Sequence, residues 1–198
     1  MTGNRTKKTA IISALALLAS MGAYAIKGIA LTEGEVYEIE KKTARVKADL
    51  NNDGVTDLVV YNEKGLSIYF SNGHAKYFAR GAGNVENEYA DSRITNVKVN
   101  DKGVLRIETE WVNDRGASGS DTYVARFQDN DFYLIGYDGM YNNPPTTYSF
   151  NLLTGKAVTV SGYAEDTKRK TTAIKKLPLK KLSEVKIGEY KCEDYYEY

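Results

Sequence analysis

Cysteine, histidine and tryptophan each occur only once in the 198 residues, and proline occurs only three times. A four-coordinate zinc site needs three or four His or Cys ligands, so this scarcity excludes one. An internal disulfide is excluded too, and we expect the single cysteine, Cys192, to be a free thiol. Neither sign of charge dominates, since 27 basic side chains face 26 acidic ones. This balance argues against a dedicated nucleic-acid-binding protein.

Tyrosine, in contrast, is abundant, with 16 residues in the chain. Hydrophobic residues make up 42% of the sequence and charged residues 27%, a composition typical of a folded globular protein rather than a disordered one. The length is that of one domain of ordinary size, either alone or with an extension.

The amino terminus has the pattern of an export signal. Three basic residues precede an apolar run from Ala10 to Leu18, and Ala23 and Ala25 occupy the positions that a signal peptidase reads. We therefore expect residues 1–25 to be removed, leaving a periplasmic or extracellular, mildly acidic protein. The apolar run is shorter than the roughly 20 residues of a membrane-spanning helix, so no membrane span is predicted.

From Ala44 onward, short apolar or aromatic runs alternate with turn signals. Asn72-Gly73 is a strong hairpin signal, and the segment from Leu105 to Trp111 alternates with period two. This pattern predicts that residues 26–198 form a single all-β domain with an antiparallel, hairpin-rich sheet. An open barrel, a sandwich and propeller-like blades all fit the pattern. The segment from Thr32 to Lys42 fits either a short helix or a first strand.

Residues 168–198 form an arm that is first basic and then acidic and aromatic. Apolar residues interleaved with the lysines predict that the arm packs on the sheet. The lysines could contact an acidic partner or an anionic glycan. They could equally protect a solvated sheet edge from aggregation.

One segment, from Asp49 to Asp57, has the spacing of a calcium-binding loop. Glycine stands at position six of this segment, and the carbonyl group at position seven can point inward. Such an arrangement suits Ca²⁺, a hard cation that takes six to eight oxygen ligands. The ligands predicted from this spacing are Asp49, Asn51, Asp53, Val55 through its carbonyl, and Asp57.

The flanks of this loop differ from those of an EF-hand. The glutamate expected at position twelve is replaced by Val60, and both flanks have β character, which indicates a strand–loop–strand site. The segment from Ala48 to Val60 resembles an FG-GAP (VCBS-type) repeat, whose core is a D-x-D/N-x-D-G-x-x-D loop leading into an apolar strand. In that family the repeats form propeller blades and the loop binds calcium. The motif occurs once here, so the array that builds a propeller is not evident. A metal-free turn rich in Asp and Asn is the alternative.

Residues suited to catalysis are few. His74 lies beside a predicted hairpin turn, with no nucleophile motif to partner it. Glu108 and Glu110 share one strand face and could suit glycoside hydrolysis, but alternation on a solvated sheet produces the same pattern. We therefore expect no enzymatic activity, and a cell-wall hydrolase is the less favoured alternative.

Aromatic residues point to binding instead, because tyrosine and tryptophan supply large contact areas with a polar tip. The sequence predicts an exported, non-catalytic binding protein with a protein partner, as in inhibitors or immunity proteins. The alternative is a cell-envelope glycan that stacks on exposed aromatic rings. The residues predicted to contact the partner are Tyr133, Tyr137, Tyr141 and Trp111.

Overall fold

The structure is a computed structural model that describes residues 29–41, 44–74, 76–84, 90–142, 144–163, 166–175 and 178–187. The predicted signal peptide and Cys192 lie outside the described residues. Within these ranges, no helix has both the length and the apolar character needed to cross a bilayer.

The described chain consists mainly of antiparallel strands, which confirms the predicted all-β class. It begins with one α-helix, α1 (Glu33–Glu40), and ends with a 3-10 helix (Leu182–Glu184). Between them lie β1 (Ala44–Ala48), β2 (Asp57–Asn62), β3 (Gly65–Ser71), β4 (Tyr77–Asn84), β5 (Ala90–Val99), β6 (Leu105–Asn113), β7 (Ser118–Gln128), β8 (Asp131–Asn142), β9 (Pro145–Asn151), β10 (Lys156–Ser161) and β11 (Lys168–Ala173).

The segment for which the sequence left two alternatives open forms the helix α1. Thr32 and Glu35 build a capping box at its start: the Glu35 N–H donates to Thr32 Oγ1 at 3.3 Å, and the Thr32 N–H donates to the Glu35 carboxylate at 2.7 Å. The helix ends at Glu40 and is capped by Lys41, which has a left-handed φ of 50°. Val36 is buried against the neighbouring sheet.

The strands form two sheets. Strands β1 to β4 make a four-stranded sheet in chain order, and β5 to β11 make a seven-stranded sheet, also in chain order. Within the described residues neither sheet closes into a barrel. Because side chains from both sheets share one core, the arrangement corresponds to the sandwich among the three predicted possibilities.

Aromatic rings join the two sheets where the end of β3 meets the β7–β8 turn. Phe70 of β3 packs edge-on against Phe127 and Phe132 of the large sheet, with ring centroids 4.7 and 6.0 Å apart. The other face of the small sheet, including Leu58 and Tyr69, packs against α1 and the residues around it. Strands β2 and β3 are therefore covered on both faces, which explains why their sequences are apolar without alternation.

The C-terminal arm splits into two parts. Lys168–Ala173 forms β11, which is one edge of the large sheet. Beyond it, the chain runs beside β8, where the Leu134 N–H donates to the carbonyl oxygen of Lys180 at 2.9 Å. Leu182 and Ile187 are buried in the shared core, which confirms that the described part of the arm packs on the sheets.

Candidate calcium loop and aromatic cluster

The predicted calcium loop connects β1 to β2, which are paired from Ala48 and Asp57 outward. It is thus a strand–loop–strand element. Gly54 has a φ of 83°, a left-handed conformation that costs glycine little and other residues more. The glycine at position six is therefore required by the backbone.

Side chains in the first half of the loop accept hydrogen bonds from its backbone. The two carboxylate oxygens of Asp49 accept from the N–H groups of Asp53 and Gly54 at 3.2 and 2.8 Å. The Val55 N–H donates to Asp53 Oδ1 at 2.8 Å, and Asn51 Nδ2 donates to Asp53 Oδ2, also at 2.8 Å. These contacts join the side chains of Asn51 and Asp53 directly, and they hold the Asp49 carboxylate against the backbone of Asp53 and Gly54.

Asp57 has a different role from the other acidic residues of the loop. It is completely buried, and its carboxylate accepts from the Leu50 N–H at 3.0 Å and from the Ser71 N–H at 2.9 Å. Burial raises the pKa of Asp57 to about 6; the two backbone hydrogen bonds oppose this rise, and the charges of Asp53 and Asp49 add to it. Asp57 therefore fastens the loop to the end of β3.

The three carboxylates do not converge as a ligand set. In the ranges that the structure describes, no group of three His, Cys, Asp or Glu side chains is placed to hold a metal ion. Asp49, Asn51 and Asp53 are linked by the hydrogen bonds given above, whereas Asp57 is engaged with the backbone.

The base of the loop is held by the turn between β5 and β6, a contact that sequence analysis missed. Gly103 lies so close to the loop that a Cβ atom there would stand 2.8 Å from the carbonyl oxygen of Leu50 and 3.0 Å from that of Asp49. Leu50 itself is buried in the core shared by the two sheets. The loop is consequently anchored to both sheets.

Two of the four predicted partner-binding residues meet at one end of the large sheet. Trp111 and Tyr141 pack edge-to-face with centroids 5.2 Å apart, and Tyr148 joins them at 5.5 Å from Tyr141. We call these three half-buried residues the aromatic cluster. The strand register explains why these rings meet. Gly119 of β7 pairs with both Trp111 and Tyr141, and its lack of a side chain leaves room for the indole ring.

The other two predicted residues lie elsewhere. Tyr137 is only 4% exposed; its hydroxyl donates to Asp121 at 2.6 Å and its ring packs against Tyr123. Burial raises the pKa of Tyr137, and we exclude this core residue from the binding surface. Tyr133 lies towards the other end of β8, where its backbone bridges to Lys181.

Glu108 and Glu110 share the outward face of β6, as the alternation predicts, but each has a cationic partner. Lys98 contacts Glu108 at 2.7 Å, and Arg93 contacts Glu110 at 3.2 Å. The hydrogen bond from Lys98 lowers the pKa of Glu108. A general acid needs the opposite shift. His74 is exposed in the β3–β4 connection, where its backbone N–H donates to Asn72 Oδ1.

No family model, curated protein or solved structure matches this chain. The resemblance to FG-GAP repeats therefore rests on the residues of the loop.

Proposed function

We propose that this chain is an exported, non-catalytic binding protein that recognises a protein partner through the aromatic cluster. The observation that carries the proposal is the convergence of Trp111, Tyr141 and Tyr148, each partly exposed, at one end of the large sheet. Tryptophan and tyrosine are the residues most enriched at the energetic centres of protein interfaces.

The surroundings of the aromatic cluster support contact with a protein. Val112 and Met140, neighbours of cluster residues along β6 and β8, are 53% and 42% exposed. Because neighbouring residues of a strand point to opposite faces, apolar surface lies on both sides of this end of the sheet. A protein partner that contacts both faces at this end of the sheet would cover these exposed apolar side chains together with the aromatic cluster.

The alternative partner, an envelope glycan, is less well matched by the aromatic cluster. Trp111 and Tyr141 are inclined at 65°, and Tyr141 and Tyr148 at 84°. Rings set edge-to-face do not form the flat platform on which sugar rings stack. The neutralised glutamates of β6 likewise support binding over hydrolysis.

We also propose that the loop of residues 49–57 binds Ca²⁺. Asn51 Nδ2 donates to Asp53 Oδ2, and the Asp49 carboxylate accepts from the backbone N–H groups of Asp53 and Gly54. A carboxylate oxygen that accepts one hydrogen bond keeps a further lone pair for a cation. A divalent cation would offset the repulsion among the acidic side chains. With so few carboxylates, the expected dissociation constant is that of extracellular modules, about 10⁻⁴–10⁻³ M. Bound calcium would stiffen the loop at the point where it joins both sheets.

Replacing Trp111 by alanine is expected to weaken partner binding about 30-fold, because an aromatic residue at an interface centre contributes about 2 kcal/mol or more. The partner is first captured from a cell-envelope extract on the immobilised mature protein and identified. Titration calorimetry of the purified pair then compares the wild type with Trp111→Ala.

Tyr163→Ala is the matched control, since Tyr163 is a 60% exposed aromatic residue outside the aromatic cluster. It should bind as the wild type does. Equal affinities of Trp111→Ala and Tyr163→Ala for the partner would contradict the proposed binding surface. Retention of the wild type on protein-free envelope polysaccharide, lost in Trp111→Ala, would replace the protein partner with a glycan.

A further inference from the structure

The outward face of the large sheet carries a groove of about 400 Å³ that crosses the sheet from β7 to β11. Ser120 and Met140 line it, whereas their strand neighbours Gly119 and Tyr141 belong to the opposite face. Trp111 and Tyr141 of the aromatic cluster are not among its lining residues, whereas Tyr148 borders both, so the groove adjoins the cluster at β9. Its volume lies within the range of small-ligand sites, roughly 300–1,000 Å³.

The lining of the groove combines hydroxyl groups with apolar side chains. Ser120, Thr122, Thr147 and Ser149 supply the hydroxyls, and Val158 and Val160 supply aliphatic surface. Hydroxyl side chains both donate and accept hydrogen bonds, as sugar hydroxyls do. Aliphatic surface suits the C–H faces of a sugar ring. This mixture matches a carbohydrate better than a purely apolar ligand.

Charge in the groove is distributed unequally between its two ends. Arg106 contacts Asp138 at 3.2 Å, and Asp138 accepts a hydrogen bond from the Ser149 hydroxyl at 2.7 Å. Arg169 of β11 also lines the groove and is exposed, but the described residues provide it with no ion pair or hydrogen bond. Among the described residues, one end thus holds the Arg106–Asp138 ion pair and the other a guanidinium group with no ion-pair partner.

A guanidinium group binds a carboxylate with two parallel hydrogen bonds. The groove runs across the strands rather than along the sheet edge, so a peptide could not add to it as a further strand. We propose that this groove binds a short carboxylated oligosaccharide, with a sugar carboxylate on Arg169 and sugar hydroxyls near Asp138 and Ser149.

The test is calorimetry of the mature protein with a galacturonic acid tetrasaccharide and with its methyl ester. Arg169→Gln is expected to weaken binding of the acid about tenfold, the effect of losing one charge-assisted hydrogen-bond pair. Lys170→Gln changes the net charge equally one residue away, but Lys170 points to the other face of β11, opposite Thr159. This control should retain the affinity of the wild type.

Weak binding of the ester, together with a loss confined to Arg169→Gln, would support the inference. Equal losses of affinity in Arg169→Gln and Lys170→Gln would indicate unspecific charge attraction and would overturn the inference. Equal affinities for acid and ester, or no binding of the acid at millimolar concentration, would also overturn it. Trp111 is not among the residues that line the groove, so Trp111→Ala should leave this binding unchanged. A failure of the proposed protein-binding surface can therefore be distinguished from a failure of this inference.

Discussion

Asp57→Ala is expected to lower the free energy of unfolding by about 3 kcal/mol. The substitution leaves the Leu50 and Ser71 N–H groups without their acceptor, and a buried donor left unsatisfied costs about 1–3 kcal/mol. Relief from burying the Asp57 charge offsets part of this loss. Urea denaturation followed by circular dichroism measures the difference.

Asp57→Asn is the matched variant, because its amide keeps one oxygen of similar shape but replaces the other acceptor with a donor. Asp57→Asn should therefore lower the free energy of unfolding by less than Asp57→Ala does. If Asp57→Ala unfolds at the same urea concentration as the wild type, the carboxylate does not hold the loop to β3.

Gly119→Ala should lower the free energy of unfolding by a similar amount, about 3 kcal/mol. A Cβ atom at this position would overlap the carbonyl oxygen of Met140 and come within 2.5 Å of the Trp111 ring. Because the backbone cannot move aside as a flexible side chain can, either the strands or the indole ring must shift. Overpacking of this kind typically costs about 1–3 kcal/mol or more. Trp111 is the only tryptophan, so its fluorescence reports the displacement directly.

Gly34→Ala in helix α1 is the control, since a Cβ atom there meets nothing within 4 Å. It should leave tryptophan emission unchanged and hold or raise stability, because alanine is the better helix former. An unshifted emission maximum in Gly119→Ala would show that the indole ring does not rest on this glycine.

Much of the fold follows from local sequence patterns. Alternation along β6 correctly predicts the buried Leu105 and Ile107. Asn72-Gly73 correctly predicts the β3–β4 hairpin, although the ladder ends at Ser71 and Tyr77 and leaves a longer connection than a two-residue turn. The helix α1 could also have been found, because threonine followed three residues later by glutamate is a capping-box signal.

The sites are less predictable because they depend on contacts between distant segments. Tyr137 and Tyr141 point to the same face of β8, yet one lies inside the shared core and the other beyond it. Alternation tells which face a side chain occupies but not how far the covering sheet extends. The spacing of the loop likewise identified Asp57 without revealing that it would accept from Ser71, and no local signal linked Gly103 to Leu50.

Thermal unfolding of the mature protein with and without calcium tests the central claim, a calcium-stabilised loop at the junction of the sheets, most directly. About 10 mM calcium is roughly 10–100 times the expected dissociation constant and should stabilise the fold by about 1.4–2.7 kcal/mol. For a domain of this size the Tm, measured against a chelator-treated sample, should rise by about 3–10 °C.

Asp53→Ala should abolish this calcium-dependent rise, because it removes the carboxylate at the centre of the loop. Asp114→Ala, which removes an exposed carboxylate in the β6–β7 turn, should retain it. Calcium is therefore expected to raise the Tm of the wild type and of Asp114→Ala, but not the Tm of Asp53→Ala. A wild-type Tm that calcium leaves unmoved, or an equal rise in Asp53→Ala, would contradict this expectation.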